Sequence, residues 1–165
     1  MSEREHLFKA KNLKNEWVDG YYCKANKHWH KFGIHKDWII TGAIQNGGTF
    51  NVTNRYPIIK ETVCEKTGKN DKNGKAIYSG DLVNFLGIAC KVVFEQGAFG
   101  LMSDTNFRYG FISENAERAT GREWAGLACD NFISLWQIAW NFDCEESDLT
   151  VCEVIGNIYD KGANK

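Results

Sequence analysis

One short region near the N-terminus carries most of the residues that could perform chemistry. It contains one cysteine and three of the four histidines of the chain, namely Cys23, His28, His30 and His35. If positions 28–32 form a strand, His28 and His30 lie on one face and could bind zinc together with Cys23 or His35. The spacing matches no common zinc pattern, so exposed histidines on a basic strand are the favoured interpretation.

The same region combines cations with aromatic rings. Its lysines alternate with Trp29, Phe32 and Trp38. Lysines can contact phosphates while an exposed ring stacks on a base. The candidate nucleic-acid-binding residues are Lys24, Lys27, Trp29, Lys31 and Lys36. The favoured alternative is a solvated strand face whose lysines keep the protein soluble while Trp29 or Trp38 packs inward.

Sequence signatures of catalysis are absent. The chain contains no Gly-rich phosphate loop, no nucleophile elbow and no His-Glu-x-x-His helix. Cys23 and His28 could in principle act as nucleophile and base, but residue types alone are weak evidence for that chemistry. We therefore expect a protein that is not an enzyme and that requires no cofactor.

Composition indicates an ordered, mainly β protein. With 165 residues, 43% hydrophobic residues and a single proline, the chain can form one domain or two small subdomains around a buried core. Sixteen glycines and 22 aromatic residues favour short strands and tight turns over long helices. The chain has no apolar run long enough to span a membrane and no signal peptide, so we expect a cytoplasmic protein whose six cysteines are mainly buried free thiols.

Charge is divided unevenly along the chain. Residues 1–80 carry 14 Lys and Arg against 8 Asp and Glu, a net charge of +6, whereas residues 81–165 carry 6 against 13, a net charge of −7. A basic half can bind nucleic acid. Alternatively, the two halves can attract each other within one chain or between neighbouring subunits. The second interpretation is slightly favoured because it needs no outside partner.

The elements that must position these residues are mostly short strands. Alternation and turn signals predict strands at 7–11, 17–24, 28–32, 38–44, 50–52, 58–65, 82–86, 88–95, 98–102, 106–112 and 149–159. Asn46-Gly47 predicts a hairpin. Ser134 and Gln137 form a capping box that begins a helix over 135–142. Segment 114–128 is expected to be a loop with at most one helical turn.

The predicted helix also carries two of six tryptophans. Trp136 and Trp140 are four residues apart and so lie on one side, where, together with Trp124, they could form an exposed platform for a partner. The helix is apolar over much of its circumference, which fits burial in a core or an oligomer interface. Core packing of these rings is the favoured interpretation, because most large aromatic side chains are substantially buried.

Two segments carry most of a family resemblance, and a third supports it. The first, residues 67–83, combines Asn73-Gly74 and Gly80-Asp81 turn signals with Gly68 and Asp71, and the second contains Gly156-Asn157 in the VIGNIY stretch at 154–159. Together with Trp17-Val18-Asp19-Gly20-Tyr21-Tyr22, they resemble the YopX family of phage and prophage proteins. Turn chemistry alone can account for these glycines, asparagines and aspartates, since they supply positive φ and bond nearby amides. A calcium loop is disfavoured because its later ligands are missing.

The resemblance implies an architecture but no activity. It implies a mainly β protein with a smaller N-terminal β subdomain at 1–66, an SH3-like barrel at 67–165 and one short helix. Segment 114–144 is long for the family and is expected to be an insertion. We therefore expect a phage or prophage protein of the bacterial cytoplasm that acts by self-association or by contact with another phage or host protein, with nucleic-acid binding as the alternative.

Overall fold

Strands form most of the regular structure, as the aromatic residues and glycines predict. The structure is a computed structural model. It describes residues 7–24, 36–46, 49–104, 117–118, 131–142, 144 and 148–160. The chain separates into two compact units, Met1–Lys66 and Thr67–Lys165. The mainly β fold class is confirmed.

An antiparallel sheet forms the first unit. Its strands are β1 (Phe8–Lys11), β2 (Trp17–Cys23), β3 (Trp38–Asn46), β4 (Thr49–Pro57) and the first residues of β5 (Cys64–Asp71). The strands pair in the order β5-β1-β2-β3-β4. Asn46 pairs with Thr49, which confirms the hairpin predicted from Asn46-Gly47.

Side-chain alternation gives this sheet one apolar face. Ala10, Ile39 and Ile58 are buried on it. Partly buried apolar side chains pack around these three, namely Phe8, Val18, Tyr22 and Val63. The opposite face therefore carries the intervening residues of the same strands, which are mostly charged or aromatic.

The second unit contains a five-stranded antiparallel sheet. The elements of the whole unit are the end of β5, β6 (Ala76–Tyr78), β7 (Asp81–Phe85), β8 (Ile88–Glu95), β9 (Ala98–Met102), β10 (Phe132–Ser134), helix α1 (Leu135–Asn141), β11 (Asp148–Leu149) and β12 (Cys152–Asn157). The large sheet has the order β10-β9-β8-β7-β12. Strands β6 and β11 pair instead with β5.

One continuous apolar cluster lies against the large sheet. Val83 and Phe85 of β7 are fully buried, and Ile138 on the inner side of α1 covers the cluster together with Phe142, which caps the helix. Phe85 and Phe142 meet edge to face, with ring centroids 6.3 Å apart. The sheet therefore fixes the rotation of α1, which decides which of its side chains remain outside.

Several predictions about the fold need correction or lie open. The continuous strand predicted at 149–159 is wrong, because β11 ends at Leu149, a turn occupies residues 150–151 and β12 covers only Cys152–Asn157. The predicted strand at 58–65 is confirmed only at Cys64 and Glu65, which begin β5, and is wrong before them, because a 3₁₀ turn occupies Lys60–Thr62 and Ile58 makes only an isolated bridge to Asn12. Neither sheet closes on itself among the described residues, so the SH3-like barrel is not confirmed. The predictions for 28–32, 106–112 and Trp124 fall outside the described residues.

No helix in the described part of the chain is both long enough and apolar enough to cross a membrane.

Candidate functional site

The family-like turn motif is organised by one buried carboxylate. Asp71, only 1% exposed, ends β5. Its Oδ1 accepts hydrogen bonds from the backbone N–H groups of Asn73 and Lys75, both at 2.9 Å, while Oδ2 accepts one from Val154 N–H at 2.9 Å. Gly74 closes the turn with φ of 76°, a conformation that favours glycine. Asp71 thus fixes a tight turn and attaches β12 to it.

The electrostatics of Asp71 fit this structural role. Burial acts to raise the pKa of the carboxyl group, but the three backbone amide hydrogen bonds outweigh it, assisted by the charge of Lys75. The net effect holds the pKa below its usual value of 3.8. Both carboxylate oxygens already accept backbone donors, so a cation would have to displace those bonds.

A second buried polar contact joins the two motif segments. Asp81 is fully buried and accepts hydrogen bonds from Tyr78 N–H at 2.9 Å and from Asn157 Nδ2 at 2.8 Å. The carbonyl of Gly80, which has φ of 80°, accepts Ile158 N–H. The structure therefore brings together the predicted motif residues that lie far apart in sequence, and it does so through contacts of β12 with β7 and the turn before it.

An open groove of about 400 Å³ lies beside this network. Its lining includes Lys72, Asn84, Thr150, Cys152 and Glu153. Lys72 Nζ lies 2.6 Å from Glu153 Oε2, so these two charges neutralise each other. Burial raises the pKa of the Cys152 thiol far above its ordinary value, which keeps the sulfur protonated and poorly nucleophilic.

The described part of the second unit also presents two tryptophan rings to solvent. Trp136 is 68% exposed and Trp140 is 81% exposed. Both lie on α1, four residues apart, so the two indoles are neighbours on one side of the helix. Lys69 Nζ lies 5.2 Å from the centroid of the Trp136 ring. We call Trp136, Trp140 and Lys69 the tryptophan platform.

The interpretation that Trp136 and Trp140 pack in a core is wrong, for a geometric reason. Successive residues of an α-helix are rotated by about 100°. The core-facing side of α1 is formed by Leu135, Ile138 and Ala139, so residues 136 and 140 point roughly 100° and 140° away from Leu135. The apolar stripe of Leu135, Ile138 and Phe142 is visible in the sequence, but packing against the sheet decides that this stripe is covered and that the side with the tryptophans is not.

A second surface lies on the outer face of the first unit's sheet. Lys9 and Lys11 on β1 have their Nζ atoms 5.0 and 5.3 Å from the centroid of the Trp17 ring on β2. Arg55 on β4 lies 5.9 Å from the Trp38 ring on β3. Tyr21 on β2 is 47% exposed. We call this set, Lys9, Lys11, Trp17, Tyr21, Trp38 and Arg55, the basic aromatic face.

The sequence-predicted nucleic-acid and metal residues are only partly described. Lys24 and Lys36 are exposed, and Cys23 is half-buried at the end of β2. The remaining residues lie outside the described part of the chain, namely Lys27, His28, Trp29, His30, Lys31 and His35. Within the described part, no three His, Cys, Asp or Glu side chains are grouped as a metal site would require. Sequence reasoning missed Lys9, Trp17 and Arg55, which strand pairing brings together.

Comparison with known protein families decides the assignment. The model of the family described as YopX protein matches residues 8–163. The chain belongs to the YopX family. No curated protein matches the chain at a significant level. The YopX match covers described residues of both units, and the motif residues through which the sequence resembles the family form the Asp71 and Asp81 contacts. These YopX signature residues therefore stabilise the second unit.

Proposed function

We propose that this YopX protein is a non-enzymatic module that self-associates through its tryptophan platform. The observation that carries the proposal is the exposure of Trp136 and Trp140, at 68% and 81%, side by side on α1. Tryptophan is enriched in the buried centres of protein interfaces and among the residues that dominate binding energy. Burial of both rings by another protein surface would remove their apolar area from water, which stabilises the complex.

The charge distribution favours a second copy of the chain as the partner that covers the tryptophan platform. The first unit carries 11 Lys and Arg against 7 Asp and Glu, a net charge of +4, while the second unit carries 9 against 14, a net charge of −5. Opposite patches on neighbouring copies attract and orient each other. The positively charged unit of one copy is thus complementary to the acidic unit that bears the platform in another.

The chemistry of the groove supports a non-enzymatic role. Its charged pair, Lys72 and Glu153, is mutually satisfied, and the Cys152 thiol stays protonated. We also infer that the second unit is SH3-like, because β7 lies between β8 and β12, as the first strand of such a barrel lies between the second and the last. An experimental structure with a different strand order would contradict this. The phage or prophage setting and a bacterial cytoplasmic location follow from the resemblance and are part of the proposal.

Replacement of both platform tryptophans tests self-association. We expect the purified protein to sediment as an oligomer and the Trp136→Ala/Trp140→Ala variant to sediment as a monomer, because each ring is exposed and its loss removes interface area without opening the core. Ile155→Ala, which removes another exposed apolar side chain of the second unit (56% exposed), is the control and should leave the oligomer intact.

Circular dichroism would show that all three proteins are folded. A wild-type protein that is monomeric at every concentration and salt level would overturn the proposal. An oligomer that persists in the double variant would assign the interface to another surface.

Nucleic-acid binding is a second candidate function, and the basic aromatic face favours it. Three cation–aromatic contacts lie on one side of the first unit's sheet, with Lys24 and Lys36 exposed nearby in sequence. Proteins that bind single strands combine cationic tracks with stacking rings in this way. Measurement of oligonucleotide binding at low salt tests this candidate directly.

A further inference from the structure

Strand register places the members of the basic aromatic face on one side of the first sheet. Lys11 pairs with Trp17. Tyr21 pairs with Ile40, which in turn pairs with Arg55, so Tyr21 and Arg55 lie in one row across three strands. Cross-strand partners share a face of a sheet. The ring contacts of Trp17 with Lys9 and Lys11 confirm that side chains project to the same side there.

Exposure distinguishes the roles available to these residues. Tyr21 is 47% exposed, whereas Lys11 is only 4% exposed and supports the Trp17 ring from within the sheet. Arg55 is exposed and Lys9 is half-buried. Asp19, which pairs with Lys9, is the acidic residue among the described positions of this face. The exposed Tyr21 ring thus shares this face with one exposed cation, Arg55, and one half-buried cation, Lys9.

We propose that the basic aromatic face binds single-stranded nucleic acid, with Tyr21 stacking on a base and with Lys9 and Arg55 contacting the flanking phosphates. This inference rests on the second candidate function and names its ligand class and its residues. Adjacent strands are about 4.8 Å apart, so Arg55 lies roughly 10 Å from Tyr21 across the sheet. That separation suits a phosphate next to a stacked base.

Two physical reasons favour a single strand over other polyanions. Stacking on Tyr21 requires an unpaired base, because duplexes hide the faces of their bases. An acidic protein surface would satisfy the cations but would leave the exposed ring without a planar partner. The charge of the first unit, +4, favours any polyanion, and Tyr21 adds the preference for bases.

The test measures fluorescence anisotropy of labelled twelve-nucleotide oligo-dT and oligo-U with the full-length protein. We expect binding at about 50 mM salt that weakens steeply as salt is raised, because phosphate contacts release counterions. Tyr21→Ala should weaken binding by about tenfold, whereas Tyr21→Phe should retain it, because the phenyl ring can still stack. Arg55→Gln should weaken binding and reduce the salt dependence of binding. Asp19→Asn should strengthen binding, because it removes a negative charge from the face.

Matched controls separate failure of this inference from failure of the candidate function. Phe94→Ala removes an exposed ring of the second unit (59% exposed) and should leave binding unchanged. Absence of binding to either oligonucleotide would overturn both the inference and the candidate function. Binding that Tyr21→Ala and Arg55→Gln leave unchanged would overturn only the inference and move the contact elsewhere, such as to Lys27, Trp29 and Lys31.

One further outcome would show that the basic aromatic face binds a protein instead of nucleic acid. If the oligonucleotides do not bind and Arg55→Gln instead lowers the apparent mass in sedimentation, the basic aromatic face contacts a second copy of the chain and the inference is wrong. Circular dichroism of every variant, with the wild-type spectrum as the standard, shows that lost binding is not lost folding.

Discussion

Individual buried carboxylates account for the strongest residue pattern in this sequence. Asp71 and Asp81 are buried at 1% and 0% exposure, and each accepts bonds from residues far along the chain. The type of these residues could be predicted from turn chemistry. Their second partners, Val154 and Asn157, could not, because pairing across more than 70 positions depends on how β12 lies beside β7.

Replacement of Asp71 by asparagine tests this role at the residue scale. In Asp71→Asn, an NH₂ group replaces one of the two carboxylate oxygens, so its donors face at least one backbone N–H group whose hydrogen bond Asp71 accepts. The substitution also removes the negative charge that strengthens the remaining hydrogen bonds. We expect the free energy of unfolding, measured in urea, to fall by about 3 kcal/mol. Asp104→Asn, at an exposed position, should change it by no more than about 0.5 kcal/mol.

The difference in stability between the wild type and Asp71→Asn should depend on pH. Because the folded-state pKa of Asp71 lies below 3.8, its stabilising contribution is complete above pH 3.8 and is lost as the pH falls through the lower folded value. The difference in stability between the wild type and Asp71→Asn should therefore shrink in acid. A difference that stays constant from pH 7 down to pH 2 would contradict this.

At the scale of elements, helix α1 shows how local signals and packing share control. Ser134 Oγ accepts Gln137 N–H at 3.2 Å, and Gln137 Oε1 accepts Ser134 N–H at 3.0 Å, which confirms the capping box and the start of the helix. The helix ends one residue earlier than predicted, at Asn141. Residues 58–65 behave differently: their apolar content predicted a strand, but Thr62 Oγ1 accepts Lys11 N–H at 2.8 Å within a turn.

A double-mutant cycle on the capping box gives the prediction at this scale. Ser134→Ala should lower the free energy of unfolding by about 1 kcal/mol because it leaves a helix N-terminal amide without its acceptor. Since Ser134 and Gln137 bond each other, the double variant with Gln137→Ala should lose less than the sum of the single variants. Additive losses in urea unfolding would show that the two side chains act independently.

For the whole molecule, the proposal of self-association rests on charge and on exposed aromatic residues. The two units have net charges of +4 and −5, and the second presents Trp136 and Trp140. The uneven charge was readable from the sequence. The placement of the tryptophans outside the core followed only once the sheet had fixed which side of α1 it covers.

Salt dependence of self-association tests the contribution of charge. We expect the association constant, measured by sedimentation, to fall when salt is raised from about 50 to 500 mM, because the Debye length shortens from roughly 14 to 4 Å. The Trp136→Ala/Trp140→Ala variant should remain monomeric at both concentrations. Association that strengthens with salt would assign the interface to apolar contact alone.

The sequence by itself determined the family, the mainly β class, the Asn46-Gly47 hairpin and the cap at Ser134, because each depends on composition or on short motifs whose residues lie close together in the chain. The tertiary structure alone decided three other features. These are the partners of Asp71 and Asp81, the exposure of the tryptophan platform and the assembly of the basic aromatic face. Each requires residues separated by tens of positions to meet, and their meeting depends on strand register and on burial, which no local pattern specifies.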